Sequence, residues 1–191
     1  PVLGLPQLRQ AWSEHLRRMR AVVRNPAQIA VTGGGREGFA LVLLALAGDR
    51  PLRVGVEDPG YPSLRRVPVR VGASVLPLPV DEHGLKVVDL PTGRSAPDVL
   101  LVTPSHQYPL GGSLPVDRRQ ALLEWARRNK VVIVEDDYDS ELRYTSEPLP
   151  ALAALDDPEF TVPPNIEQRE PVEGWAAAAR ARGDDVFVLD A

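Results

Sequence analysis

The sequence has no cysteine, only two lysines (Lys86 and Lys130) among its 22 basic residues, and three scattered histidines, His15, His83 and His106. Without a thiol there can be neither disulfides nor thiolate metal sites, and histidines so dispersed make a metal centre a poor fit. Long apolar runs are also missing. The longest, FALVLLALA from Phe39 to Ala47, is well short of the ~20 residues a membrane helix needs. No signal-peptide pattern opens the chain, so a soluble, cytoplasmic protein is expected. A first residue of Pro1 rather than Met is compatible with a piece of something longer. The net charge of -4 gives no general reason to expect nucleic acid or an anionic membrane as partner. The arginines of HLRRMRAVVR spread around a helix that also carries an apolar stripe, which is the pattern of a solvated face.

What is present is enough apolar content, 43% of 191 residues, to bury one sizeable core. Leu5, Leu8, Trp12, Leu16, Met19 and Val23 recur at spacings of three and four, predicting an amphipathic helix over residues 6 to 24. QIAVT (28 to 32) reads as a short strand leading into a glycine-opened helix closed by Gly48. Strands follow at 52 to 56, 74 to 80, 99 to 103 and 131 to 134, with a helix at 116 to 129; Pro77 and Pro79 mark the second of these strands as an edge or irregular one. Apolar runs without alternation predict strands buried on both faces, hence an α/β fold with a mostly parallel sheet flanked by helices. The character changes near Asp156, so residues 1 to 155 are expected to form one unit, and 156 to 191 a linker with a helix and strand tail.

In such a sheet ligands gather beyond the carboxyl ends of the strands, and every candidate motif sits there. GGGREG places Gly33, Gly35 and Gly38 in a G-x-G-x-x-G pattern with Glu57 on the next strand, the arrangement of a dinucleotide site. The same glycines also suit a single phosphate, or simply a tightly packed helix start. VVIVEDDYDSE sets five acids at a strand end. Alternation sends Asp136 and Tyr138 to one side and Glu135 and Asp137 to the other. A carboxylate beside a phenol suits an aromatic cofactor whose ring nitrogen must stay protonated, and an acidic solvated loop is the plain alternative. Glu57 and Asp58 are expected to shape the EDPGYP turn, and His106 to make loop hydrogen bonds.

EDPGYP, PVDEHGL, VTPSHQYPLGG, ALLEWARR and VIVEDDYDSELRY followed by PLPAL resemble, in this order, the aminotransferase-like domain of MocR-type transcription regulators, a branch of the aminotransferase class I and II group of pyridoxal phosphate proteins (fold type I). The resemblance runs to about Leu155. It implies a partial fold type I large domain in which Asp136 meets the pyridine nitrogen, Tyr138 the ring hydroxyl, Tyr61 the ring face, and Gly34, Gly35 and Arg36 the phosphate. Gly35 stands where the family usually has Ser, and Arg36 where it has Gln. The segment carrying the lysine that forms the Schiff base does not appear, so no catalytic residue is assigned. Pyridoxal 5'-phosphate is expected to bind non-covalently at most. The resemblance further implies an amine or amino acid as effector, no direct nucleic-acid contact by this segment and no membrane. A sheet lacking its remaining strands is expected to leave an edge that drives dimerisation or aggregation. Two other readings stay open: an aminotransferase half completed by a partner, and a dinucleotide-binding α/β protein.

Overall fold

The computed structural model describes residues 2–138, 151–156 and 186–189. Helix α1 spans Pro6–Arg20, with Pro6 at its first turn, where a missing N–H costs nothing. It stops four residues before the sequence pattern predicts. Ala21 turns left-handed (φ 55°) and Val22 folds inward against Ala151 and Ala153. Residues 28 to 32 were expected as a strand. Instead Pro26–Gln28 form a 3-10 turn, and Val31 makes a single backbone bond to Leu3, 3.0 Å, outside any sheet. Propensity alone supplies no ladder partner.

From there the predicted alternation holds. Helix α2 (Gly35–Leu46) precedes β1 (Arg53–Asp58), and short helices α3 (Pro62–Arg65) and α4 (Val67–Arg70) lead to β2 (Ser74–Asp81). Next come β3 (Gly84–Leu85), β4 (Val99–Val102), α5 (Val116–Asn129), β5 (Val132–Asp136) and α6 (Leu152–Leu155). Residues 186–189 form β6. The strand order is β3-β2-β1-β4-β5-β6, parallel throughout except for the two-residue β3. β3 pairs with β2 only at Val80 and Asp81, and beyond them the Pro79 carbonyl accepts from the Lys86 amide at 3.0 Å, so Pro77 and Pro79 face a short partner and forgo few ladder bonds. The tail expected to carry a strand supplies β6, which pairs with β5 from Ile133 to Asp136. The expected linker and tail helix lie outside the described residues. No helix among the described residues is long and apolar enough to cross a membrane.

Two cores sandwich the sheet. Phe39, Leu43 and Leu46 of α2 pack on Val54, Val56, Val99, Leu101 and Val134. On the other face Leu122, Leu123 and Trp125 of α5 pack with Leu100, Val102, Ile133 and Leu152. Fully buried residues of this kind each contribute about 1.5–3 kcal/mol over exposure. This two-sided burial is the reason the strands read as unbroken apolar runs.

Candidate functional site

Strand order locates the site. From β1 the chain steps outward to β2, then returns to place β4 on β1's other side. The direction of winding therefore reverses between β1 and β4, and the loops beyond those two strands diverge to leave a crevice. The loop after β1 is EDPGYP and the loop after β4 is TPSHQYPLGG. Helix α2 feeds directly into β1 and runs antiparallel to it, which brings its amino terminus to this same end of the sheet.

The loop after β4 is the hub. Gln107 is fully buried, and its Nε2 donates to the carbonyls of Pro59 (2.9 Å) and Tyr108 (2.7 Å), with a longer bond to Glu57 Oε2. Backbone bonds from Gly111 to Gln107 and from Gln107 to Gly112 close the loop on itself. Arg119 of α5, also fully buried, donates to the carbonyls of Leu114 (2.8 Å) and Pro104 (2.7 Å) from beneath. Two glycines permit close approaches here. A Cβ on Gly60 would lie 2.4 Å from the Glu57 carbonyl, and one on Gly112 would lie 2.4 Å from that of Glu82. The peptide bonds Asp58–Pro59 and Tyr108–Pro109 are both cis.

Of the expected residues, Tyr61 and Tyr138 touch this loop. Tyr61 is half exposed, its ring meeting that of Tyr108 edge to face at 5.6 Å. Tyr138 Oη donates to the His106 carbonyl at 3.0 Å, and the two rings lie 6.0 Å apart. Asp136 ends β5 and is buried; it lies two residues beyond Val134, so it projects toward the α2 face. The other acids of the cluster serve the fold. Glu135 accepts from the amides of Leu152 (3.0 Å) and Ala153 (3.4 Å), at the start of α6. Asp137 forms a buried ion pair with Arg20 of α1 at 2.5 Å, and Arg20 also donates to Ser105 in the hub loop. Removing one partner of such a pair typically costs about 3–5 kcal/mol.

Gly34, at φ 114°, precedes the first turn of α2, and Arg36 is exposed there. No hydrogen bond among the described residues ties this turn to Tyr61, Asp136 or Tyr138. The sequence reading overlooked Glu37. Its carboxylate reaches back to accept from the Gly33 amide, occupying a donor just ahead of the helix. The cue was present, since an acid in a first helical turn is a common cap.

Glu57 differs from its expected role. Asp58 does shape the turn, pairing with Arg65 at 2.9 Å. Glu57 instead points into the protein, where Thr103 Oγ1 donates to its Oε2 at 2.5 Å. Burial pushes its carboxyl up to about 7, and the charge of Asp136 adds to the rise. Burial likewise pushes Glu135 up to about 7, with Asp137 adding.

A separate recess of roughly 520 Å³ lies at the opposite end of the sheet, lined by Leu46, Arg50, Leu52, Asp98 and Lys130 among others. Arg50 and Asp98 pair with each other there.

Comparison with known proteins gives a consistent result. The chain is 54% identical over 155 residues to the HTH-type pyridoxine biosynthesis transcriptional regulator PdxR of Corynebacterium glutamicum, a match covering 81% of this chain and 33% of that protein. It is 36% identical to the probable rhizopine catabolism regulatory protein MocR of Rhizobium meliloti, covering 81% and 31%. The chain thus spans about a third of the length of these curated relatives. Among solved structures, an archaeal alanine:glyoxylate aminotransferase superposes with a TM-score of 0.74 at 27% identity, over 82% of this chain and 40% of that one. The α-aminoadipate aminotransferase LysN of Thermus thermophilus, solved with N-(5'-phosphopyridoxyl)-L-leucine, gives 0.73 at 26% identity, over 100% and 42%. A sequence model of the family described as aminotransferase class I and II matches residues 1–162, and the chain belongs to that family.

Proposed function

We propose that this chain is the aminotransferase-like, pyridoxal-phosphate-binding part of a MocR-type transcription regulator, that it holds the cofactor without covalent attachment, and that alone it does not transaminate. The observation that carries the reading is Asp136, a buried carboxyl at the end of β5, two residues before Tyr138 and beside the β1/β4 crevice. The donor set suits a protonated ring nitrogen, because an acid held in low dielectric pairs strongly with a cation. Asp136 would hold the ring nitrogen, Tyr138 the ring hydroxyl, and Tyr61 the ring face. Gly34, Gly35 and Arg36 would receive the phosphate. The ring end fits these residues; at the phosphate end the carboxylate of Glu37 must turn away first. Bound there, the cofactor supplies an electron-withdrawing ring.

The positions of the two lysines support the non-covalent reading. Lys130 caps the end of α5, at the amino edge of β5. Six residues of nearly extended chain separate it from Asp136, roughly 20 Å. Lys86 follows β3, four strands from β5, or about 19 Å at the usual spacing. Its ammonium pairs with Asp89 at 2.6 Å. A dinucleotide reading is disfavoured because Glu57 is buried and engaged by Thr103 and Gln107, so it does not present its carboxylate to a ribose. In the regulator the effector would be an amine or amino acid and the assembly a homodimer. Residues 1 to 155 would form the aminotransferase-like unit and 156 to 191 its divergent extension.

Adding pyridoxal phosphate, reducing with borohydride and mapping lysines by mass spectrometry tests this. The expected result is saturable binding that Asp136→Asn weakens at least tenfold, with no stoichiometric lysine label. Full labelling of Lys86, abolished in Asp136→Asn, would overturn the non-covalent reading.

A further inference from the structure

Glu57 is the buried titratable group that the proposed function leaves without a role. Oε2 accepts from Thr103 and Gln107, while Oε1 is buried with no hydrogen-bond partner among the described residues. An ionised carboxylate with one oxygen unmatched away from water is costly, and a proton on that oxygen removes the charge. On β4, Val102 is in register with Glu135, so Thr103, the next residue, lies beside Asp136. On the other side Val56 is in register with Leu101, which sets Glu57 one residue behind Thr103; the Thr103 hydroxyl bridges that offset to bond Glu57 while Thr103 itself flanks Asp136. Of the other titratable groups nearby, Asp58 turns outward to Arg65, and His106 and Tyr108 of the hub loop are exposed. Asp136 is the charged group acting on Glu57 from β5.

We propose that Glu57 is the proton-holding partner of Asp136: across β4 the two carboxyls carry one negative charge, kept on Asp136, and Glu57 releases its proton to solvent when a cationic ring nitrogen is held against Asp136. This rests on the reading of Asp136 as the ring-nitrogen partner. The physical logic is that of two like charges in low dielectric, where the second ionises only when the first is neutralised. Burial and the Asp136 charge, which together push Glu57 up to about 7, act in the same direction. Glu57 is thus a positioning residue, acting on the ligand through Asp136 without touching it.

The test is infrared difference spectroscopy of the full chain, following the carbonyl band of protonated carboxyls. Wild type at pH 6 should show a band that Glu57→Gln lacks, since Gln cannot titrate; the Glu135 contribution cancels in that difference. Saturation with pyridoxal phosphate at pH 6 should weaken the Glu57 band, with release of a matching fraction of a proton per site. In Asp136→Asn the midpoint of the Glu57 band should fall, while burial keeps it above the ordinary carboxylate range. A band that is absent at pH 6, unchanged in Glu57→Gln, or unmoved by bound cofactor overturns the proposal. Should the cofactor fail to bind, the reading of the site fails separately, and Asp136→Asn still decides: an unshifted Glu57 midpoint sinks the pairing, and a lowered one upholds it.

Discussion

Glu37 shows how one side chain can both complete a helix and hinder a ligand. Its carboxylate caps the Gly33 amide at the amino end of α2, where an anion stabilises the helix by about 0.3–1 kcal/mol. A phosphate arriving at the same turn meets that charge and finds that donor taken. Replacing Glu37 by Gln should therefore tighten pyridoxal phosphate binding about two- to fivefold, the same free energy expressed as affinity. Fluorescence titration of the two chains measures it, and unchanged affinity would place the ligand phosphate away from α2.

The hub loop owes its shape to neighbours above and below it. Gln107 ties it to the loop after β1, Arg119 supports it from α5, and Gly112 lets it press on the turn between β2 and β3. A methyl on Gly112 would collide with backbone, not with a movable side chain tip. Gly112→Ala should cost about 2–3 kcal/mol in urea unfolding. It should also speed hydrogen exchange at the Gln107 amide, which now bonds the Gly112 carbonyl at 2.7 Å. Unchanged exchange would mean the loop holds without that contact.

Stability of the whole molecule is coupled to pH through two acids buried near the ends of β1 and β5, on either side of β4. Glu57 and Glu135 are each raised from 4.5 to about 7, so between those values the folded chain binds more protons than the unfolded one. Their contribution is fully present below pH 4.5 and is lost as pH rises through 7. Between pH 5 and 8 the loss is about 2–3 kcal/mol for each carboxyl. Asp81, held down to about 2 by Arg118, acts in the opposite sense, but only in strong acid. Urea denaturation should find the wild-type chain less stable at pH 8 than at pH 5, and the Glu57→Gln, Glu135→Gln double variant should flatten that slope. A wild-type chain equally stable at both values would show these acids ionised in the fold.

Local pattern determined much of this protein. Uninterrupted apolar runs required a parallel sheet covered on both faces, the helix at 116 to 129 was legible with its bounds, and Pro77 and Pro79 marked an edge or irregular strand, which on one side meets only the two-residue β3. Strand alternation even separated Asp136 and Tyr138 from Glu135 and Asp137. What alternation could not supply was the partner of each side chain, because that depends on which strands and helices become neighbours. Only the order β2-β1-β4-β5 puts Glu57 within reach of Thr103 and near Asp136; only the packing of α1 brings Arg20 to Asp137, some 117 residues away along the chain. The same cause undid the expected strand at 28 to 32. Its residues favour extended backbone, but a strand exists only where the fold offers a second one to pair with.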